Sequence, residues 1–350
     1  MKIALLTIWR VKNYGAELQA YATIRALKEL GCTVKIIDYR LNELSFPTFK
    51  QRIIGLLNSL TLETYKFNVF WKKYFPATKH YHSLKDLQKE SPQAEVYLVG
   101  SDQVWNPEIT KDKISTYFLN FGDDSVRRIS YASSFGISVW NMESEFTVTI
   151  QNLLNRFEAL SSRERSGVSI LRNTFHLEAT NVLDPTLLHD DYTELIGKVI
   201  PQNTLVYYPL SPFPELESFS INLARNLNLC YQNINEKSYL VRKIVWNGLS
   251  IENWIKSIAE SSFVVTPSFH GLAFSLIYKR QFAIVQNIKN RSSRITDLLN
   301  VLGLSERYFT SVEELKSSKI WKKNINYQEV SNKILSLREQ SWLFLKSALK

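Results

Sequence analysis

The first forty residues restrict the fold more tightly than any other stretch of the chain. Ile3 to Ile8 is a short apolar run, Ala16, Ala20, Thr23, Leu27 and Leu30 recur at helical spacing, Gly31 stops that pattern, and Thr33 to Tyr39 is apolar again. The pattern is strand, loop, helix, strand. A short helix between two apolar strands makes a right-handed crossover in a parallel sheet, so the chain opens an α/β domain. The polar loop Trp9 to Gly15 then lies at the carboxyl end of a strand, where open α/β sheets bind ligands.

The same grammar recurs downstream. Residues 41 to 92 read as helical and loop material rich in aromatics, and Glu95 to Val99 is a buried strand ending in Gly100-Ser101-Asp102-Gln103-Val104-Trp105-Asn106-Pro107. Arg128 to Ser133, Phe157 to Ser162 and Asn181 to Asp184 read as further strands. A boundary near residues 190 to 201 divides the 350 residues into an N-terminal α/β domain, 1–195, and a C-terminal α/β domain, 196–350. The second half restarts with strands at Thr204 to Tyr208, Tyr239 to Trp246, Phe263 to Val265 and Phe282 to Val285, and helices at Glu215 to Leu227, Ile251 to Glu260 and Leu272 to Tyr278. Val330, Ile334 and Leu337 start a C-terminal helix expected to pack back on the first domain. The expected architecture is two Rossmann-like lobes facing a cleft.

Charge narrows the partner without naming it. Lys plus Arg is 43 against 33 for Asp plus Glu, a formal +10, which favours an anionic partner. The cations are scattered and show no nucleic-acid motif, so nucleic acid is not expected. The one dense stretch, Lys316, Lys319, Lys322 and Lys323 around Trp321, reads first as a solvated helix face and second as a membrane-surface contact. Cys32 and Cys230 are too few and too far apart for a disulfide scaffold and suit a reducing compartment. The N-terminal apolar run is too short for a signal sequence and no span of about 18 apolar residues follows, so the expectation is a cytoplasmic protein, with the inner face of the membrane as a candidate location.

Four polar blocks follow strand ends: Asn13-Tyr14-Gly15-Ala16 with Leu18-Gln19-Ala20-Tyr21, then Gly100 to Asn106, then Ser162-Arg163-Glu164-Arg165, then Ser268-Phe269-His270-Gly271. In order and spacing they resemble the polysaccharide pyruvyl transferase family, over roughly residues 3 to 300. The resemblance implies a fold similar to GT-B glycosyltransferases. It also implies transfer of the pyruvyl group of phosphoenolpyruvate onto a sugar as a ketal, in capsule or exopolysaccharide assembly, with a lipid-linked saccharide as acceptor. No cofactor is implied and no metal is expected, since arginine, histidine and helix N–H groups can neutralise a phosphate.

The residue types present suit such a donor in part. Arg163 offers a bidentate contact to carboxylate or phosphate, and its rival role is an ion pair with Glu164 that orders a turn. His270, just ahead of a helix start, is the donor-phosphate ligand or general acid, against a capping or core role. Asp102 is a candidate acceptor-side base, against the commoner role of a turn carboxylate that accepts backbone N–H bonds. Asn13, Tyr14, Gly15, Ser101, Gln103 and Trp105 are acceptor-side candidates; Asn13 to Gly15 serve equally as a helix start, and Trp105 reads first as an anchor of the loop in the core and second as a sugar-stacking face. Ser268, Gly271 and Arg294 complete the donor side. Many family members carry arginine where this chain has Ser268, and Arg291 and Arg294 could compensate. That departure keeps two other readings open: a glycosyltransferase of the same fold using a sugar nucleotide, and a glycan-binding relative without catalysis. His80 and His82 straddle Tyr81 without Cys or carboxylate partners in the sequence, so no metal site is expected there.

Overall fold

The computed structural model describes residues 1–41, 61–235, 238–240, 245–286 and 293–350. They fall into two compact units. Unit 1 takes in residues 1–41, Phe70–Leu188 and Leu335–Lys350; unit 2 takes in residues 61–69 and His189–Ile334.

Unit 1 is built on β1 (Lys2–Leu6), β2 (Thr33–Tyr39), β3 (Ala77–Tyr81), β4 (Val96–Val99) and β5 (Arg127–Ser130), all parallel in the order β3-β2-β1-β4-β5. The order reverses between β1 and β4, which makes their carboxyl ends the topological switch point. Single parallel bridges, Ile129–Ala159 and Ser133–Ser162, extend the pairing to β6 (Ser161–Ser162) and β7 (Thr180–Asn181). Phe157 to Ser162 is therefore a strand only at its end.

Helix α1 (Tyr14–Glu29) connects β1 to β2 as the opening residues predict. The Asn13 side chain accepts from Ala16 N at 3.2 Å to cap its start, and Gly31, at φ 75°, turns the chain away after its end. Nearly every residue of α1 is buried, so its polar members must find internal partners. The Gln19 amide does so by donating to Thr7 Oγ1 (3.0 Å), Ile8 O (3.1 Å) and Ala16 O (2.8 Å), which fastens the helix to the end of β1.

Unit 2 repeats the plan with β8 (Thr204–Tyr207), β9 (Cys230–Asn233), β12 (Phe263–Thr266), β13 (Gln281–Val285) and β14 (Tyr308–Phe309), parallel in the order β14-β13-β12-β8-β9. Its core packs Leu205, Leu216, Leu223, Val265, Ala283, Val285 and Leu315. The expected strand Tyr239 to Trp246 is instead an antiparallel ladder of β10 (Ser238–Leu240) with β11 (Val245–Asn247), outside the parallel sheet. Residues 41 to 92 were expected to be helix and loop; within them Ala77–Tyr81 is a strand, while 42–60 lie outside the described residues.

The lysine stretch is not a continuous helix face. A helix over Val312–Ser318 ends before Lys319, which is left-handed at φ 49°. Lys316 lies 3.6 Å from Glu313 and Lys323 3.0 Å from Glu306. Trp321 packs on Phe219 at 5.7 Å. Among the described residues no helix is long and apolar enough to cross a membrane.

Candidate active site

In unit 1 the blocks after β4 and β6 meet around one buried arginine, and the end of β1 is tied to them. Thr7 Oγ1 donates to Ser101 O at 2.7 Å, tying the end of β1 to the end of β4 across the switch point. Ser101 is buried and its hydroxyl donates to Asp184 Oδ2 at 2.9 Å. Arg163 follows β6 and turns inward: one guanidinium nitrogen donates to Asp184 Oδ2 at 2.8 Å and to Ser101 Oγ at 3.2 Å, another lies 3.5 Å from Asp102 Oδ1, and Nε lies 3.7 Å from Glu164 Oε2. Burial works against the guanidinium charge, but Asp184, Glu164 and Asp102 outweigh it and hold the group above its ordinary pKa.

Asp184 and Glu164 are themselves anchored. Asp184 Oδ1 accepts from Thr186 N (3.0 Å) and Oγ1 (2.7 Å), while Glu164 Oε1 accepts from Ser134 Oγ and from Gly136 N at 3.1 Å. The Arg163–Glu164 pair weighed from the sequence is thus present, inside a larger network that the sequence did not disclose. Asp184 was missed because it looked like the end of a strand before Pro185. An acidic residue at a strand's carboxyl end was the available signal.

The other unit 1 candidates divide. Asp102 sits at φ 77° and its Oδ1 accepts from Gln103 N at 2.9 Å, the turn role. Its side chain is 18% exposed while those of Asp184 and Glu164 are 0%, so it is the carboxylate of the network that reaches the surface. Gln103 Oε1 accepts from Asn106 Nδ2 at 2.7 Å, and Asn13 is an exposed helix cap. Tyr14 and Gly15 are buried in the first turn of α1. Trp105 needs correcting: it is fully buried, stacked on Phe118 at 5.2 Å, and its indole N–H donates to Tyr117 O at 3.0 Å. A ring with both faces and its one donor used inside the core has no face for a sugar.

In unit 2 the fourth block stands at the start of α5 (Phe269–Ile277), the labels α2, α3 and α4 being given to Arg165–Asn173, Pro214–Asn226 and Ile251–Glu260 and the other helices left unlabelled. Thr266, at the end of β12, donates its hydroxyl to Tyr208 O at 2.7 Å and accepts from Ser268 N at 3.0 Å. Ser268 caps the helix, its hydroxyl accepting from Gly271 N at 3.3 Å. A Cβ on Gly271 would lie 2.7 Å from Thr266 Cγ2, so glycine is required here for close packing of helix on strand.

His270, second in α5, is buried and makes an edge contact with Phe269 at 5.3 Å. The Arg294 guanidinium stands over the Phe269 ring at 5.9 Å. Arg291 lies outside the described residues. No acidic residue occupies the first turn of α5, so the helix dipole, His270 and Arg294 all favour an anion at this end.

A cavity of about 860 Å³ opens elsewhere in unit 1, lined by Gln88, Pro92, Tyr97, Gly122, Asp123 and Arg156 at the amino ends of β4 and β5. It is at the opposite end of the strands from the blocks, and the switch-point chemistry favours the carboxyl ends over its volume. Among the described residues no group of three or more His, Cys, Asp or Glu is arranged to hold a metal ion.

Two α/β units, each a parallel five-stranded sheet with polar blocks at its strand carboxyl ends, define a GT-B-like protein. Solved structures agree on that fold. A putative UDP-N-acetylglucosamine 2-epimerase from Listeria monocytogenes matches with TM-score 0.51 at 13% identity, over 95% of this chain and 91% of its own. The UDP-GlcNAc 2-epimerase of Methanocaldococcus jannaschii matches with TM-score 0.51 at 12% identity, over 93% and 94%. MnaA of S. aureus matches with TM-score 0.50 at 10% identity, over 95% and 91%. No curated protein matches in sequence. The polysaccharide pyruvyl transferase family model matches residues 13–289, and the chain belongs to that family, a family of transferases.

Proposed function

We propose that this chain transfers the pyruvyl group of phosphoenolpyruvate onto a saccharide as a ketal, with unit 2 holding the donor. The supporting observation is the α5 start: a histidine, a helix N-terminus without acidic residues, and Arg294 nearby suit a donor that carries phosphate and carboxylate. His270 delivers the proton to the donor's methylene carbon and Arg294 neutralises its anionic groups. Protonation leaves an electron-poor carbon that two sugar hydroxyls attack in turn as the C–O bond to phosphate breaks. Of the two hydroxyl protons, one is balanced in the new methyl group and the other on the released phosphate. The reaction therefore needs no oxidant, reductant or cofactor.

On the acceptor side Asp102 is the base, because it is the exposed carboxylate of its network. Arg163, closed in by Asp184 and Glu164, orders Ser101 and Asp102 and so positions that base. The acceptor is a lipid-linked saccharide of capsule or exopolysaccharide assembly, met at the cytoplasmic face of the membrane. Turnover is expected to persist in EDTA, and a large loss restored by Mg²⁺ would contradict this account of phosphate neutralisation.

One observation favours a second reading. Ser268, in place of the arginine many members of the family carry, is used as a helix cap, and the M. jannaschii epimerase of similar fold is seen with UDP-GlcNAc and UDP. Calorimetric titration separates the two readings. Phosphoenolpyruvate binding that weakens in His270→Ala supports pyruvyl transfer, whereas a nucleotide sugar binding in its place assigns a glycosyltransferase.

A further inference from the structure

A second charge cluster in unit 1 is the inverse of the one around Arg163. There, three carboxylates surround one cation; here, one carboxylate, Asp38 near the end of β2, gathers two arginines and a histidine from three elements. Arg10, on the loop after β1, places a guanidinium nitrogen 3.3 Å from Asp38 Oδ2. Arg40, just past β2, grips both carboxylate oxygens, at 3.1 and 3.3 Å. His80, on β3, brings Nδ1 to 3.3 Å from Oδ1 and 3.1 Å from the Asp38 carbonyl, and the His82 ring meets it edge-on at 4.3 Å.

Two permanently charged guanidinium groups share this one carboxylate. Lys113 stands close by, its ammonium donating to Arg40 O at 2.8 Å, as do two further carboxyl groups, Asp112, whose charge is felt at Tyr39, and Glu17, on which Arg10 acts. Arg10 is held in place as well as charged, its guanidinium lying 4.7 Å from the Trp9 ring centre and 5.5 Å from that of Trp71. The side chains of Arg10, Arg40 and His80 remain 27%, 37% and 21% exposed, whereas Asp38 is buried. Asp38 thus orients two part-exposed guanidinium groups at the carboxyl edge of three adjacent parallel strands.

We propose that Arg10, Arg40 and His80 form a subsite for the diphosphate of an acceptor saccharide. The inference rests on the transferase reading above and adds to it how the acceptor is gripped. Forked guanidinium groups from two directions suit the several oxygens of a diphosphate better than a single carboxylate. A diphosphate is carried by lipid-linked and by nucleotide-linked saccharides alike.

The test titrates inorganic pyrophosphate into the full chain with phosphoenolpyruvate present, following histidine ring signals by NMR, with His80 assigned through His80→Gln. Expected are shifts at His80 and His82, and affinity lowered roughly tenfold or more in Arg40→Gln. Arg40→Lys, which keeps the charge and loses the fork, should fall between them, and circular dichroism melting shows whether either variant stays folded. Unmoved His80 and His82 signals, or equal affinity in folded Arg40→Gln, overturn the subsite. So does preference for a methyl glucuronide over pyrophosphate. Farnesyl diphosphate and UDP are the two source arms: whichever binds more tightly than pyrophosphate assigns a lipid or a nucleotide carrier, and equal binding of all three assigns recognition to the diphosphate alone. Failure of the donor reading shows separately, as absent phosphoenolpyruvate binding at His270 with the His80 response intact.

Discussion

The two units place family blocks at equivalent positions, the carboxyl ends of parallel strands, and use them in opposite ways. In unit 1 the block cation, Arg163, is enclosed by Asp184, Glu164 and Asp102, so its charge is met inside the protein. In unit 2 the block sits at a helix start with His270 and no acidic residue in the first turn. A charge closed by internal partners orders the fold, and a helix start with no acidic side chain in its first turn favours an anionic ligand. The residue type alone does not distinguish the two; its surroundings do.

The comparison is tested hardest at His270. Replacing it with Ala should lower pyruvyl transfer by roughly 10²–10⁴-fold and weaken phosphoenolpyruvate binding, with amide hydrogen exchange in both units unchanged. Kinetics and exchange measured on one preparation check this. Loss of protection across unit 2 together with loss of activity would reduce His270 to a core residue.

Arg163 should behave the other way. Arg163→Met leaves Asp184 and Glu164 buried without their cation, a change that typically costs about 3–5 kcal/mol. Exchange protection should fall in unit 1 and hold in unit 2, and phosphoenolpyruvate binding should survive in whatever fraction stays folded. If donor binding vanishes while unit 1 keeps its protection, the arginine binds the donor and the contrast between the units collapses.

How much of this was legible in the sequence follows from the same distinction. The β1-α1-β2 opening and the His270 block were readable because buried central strands are continuous apolar runs and helix starts carry small polar caps. The strands that were missed, Ala77–Tyr81, Cys230–Asn233 and Tyr308–Phe309, are all sheet edges. Their residues are mostly half-exposed, so no apolar run marks them. Asp184 was unreadable for another reason: its partner lies 21 positions away and only the fold brings Arg163, Ser101 and Asp184 together. Trp105 shows the opposite error, an aromatic in a polar block that belongs to the core.

Glu17 extends the comparison into pH. Buried in α1, it accepts from Trp71 Nε1 at 2.7 Å and from Val11 N at 3.2 Å, with Arg10 nearby. Burial outweighs these and lifts its pKa from 4.5 to about 8. The folded state therefore holds the proton more tightly than the unfolded chain, so the stabilisation is complete below about 4.5 and is lost as pH rises through about 8. Between pH 5 and 8 the wild type should lose on the order of a few kcal/mol from this group, and Glu17→Gln should remove that part of the slope. Parallel slopes in the two proteins would mean that Glu17 is charged in the fold.

The smallest effect expected is at Ser268, and it bears on what replaced the arginine. As the N-cap of α5 its hydroxyl holds Gly271 N, and the close approach of Gly271 to Thr266 fixes how the helix meets β12. Ser268→Ala should cost about 1 kcal/mol and Ser268→Gly only a few tenths, since glycine is tolerated at this position. Phosphoenolpyruvate affinity should follow the same small order, because the serine acts by orienting the helix N–H groups and His270. If Ser268→Ala abolishes donor binding while stability hardly changes, the hydroxyl itself touches the donor. Unit 2 would then hold its anion through a neutral donor at the very position where the family more often places a charge.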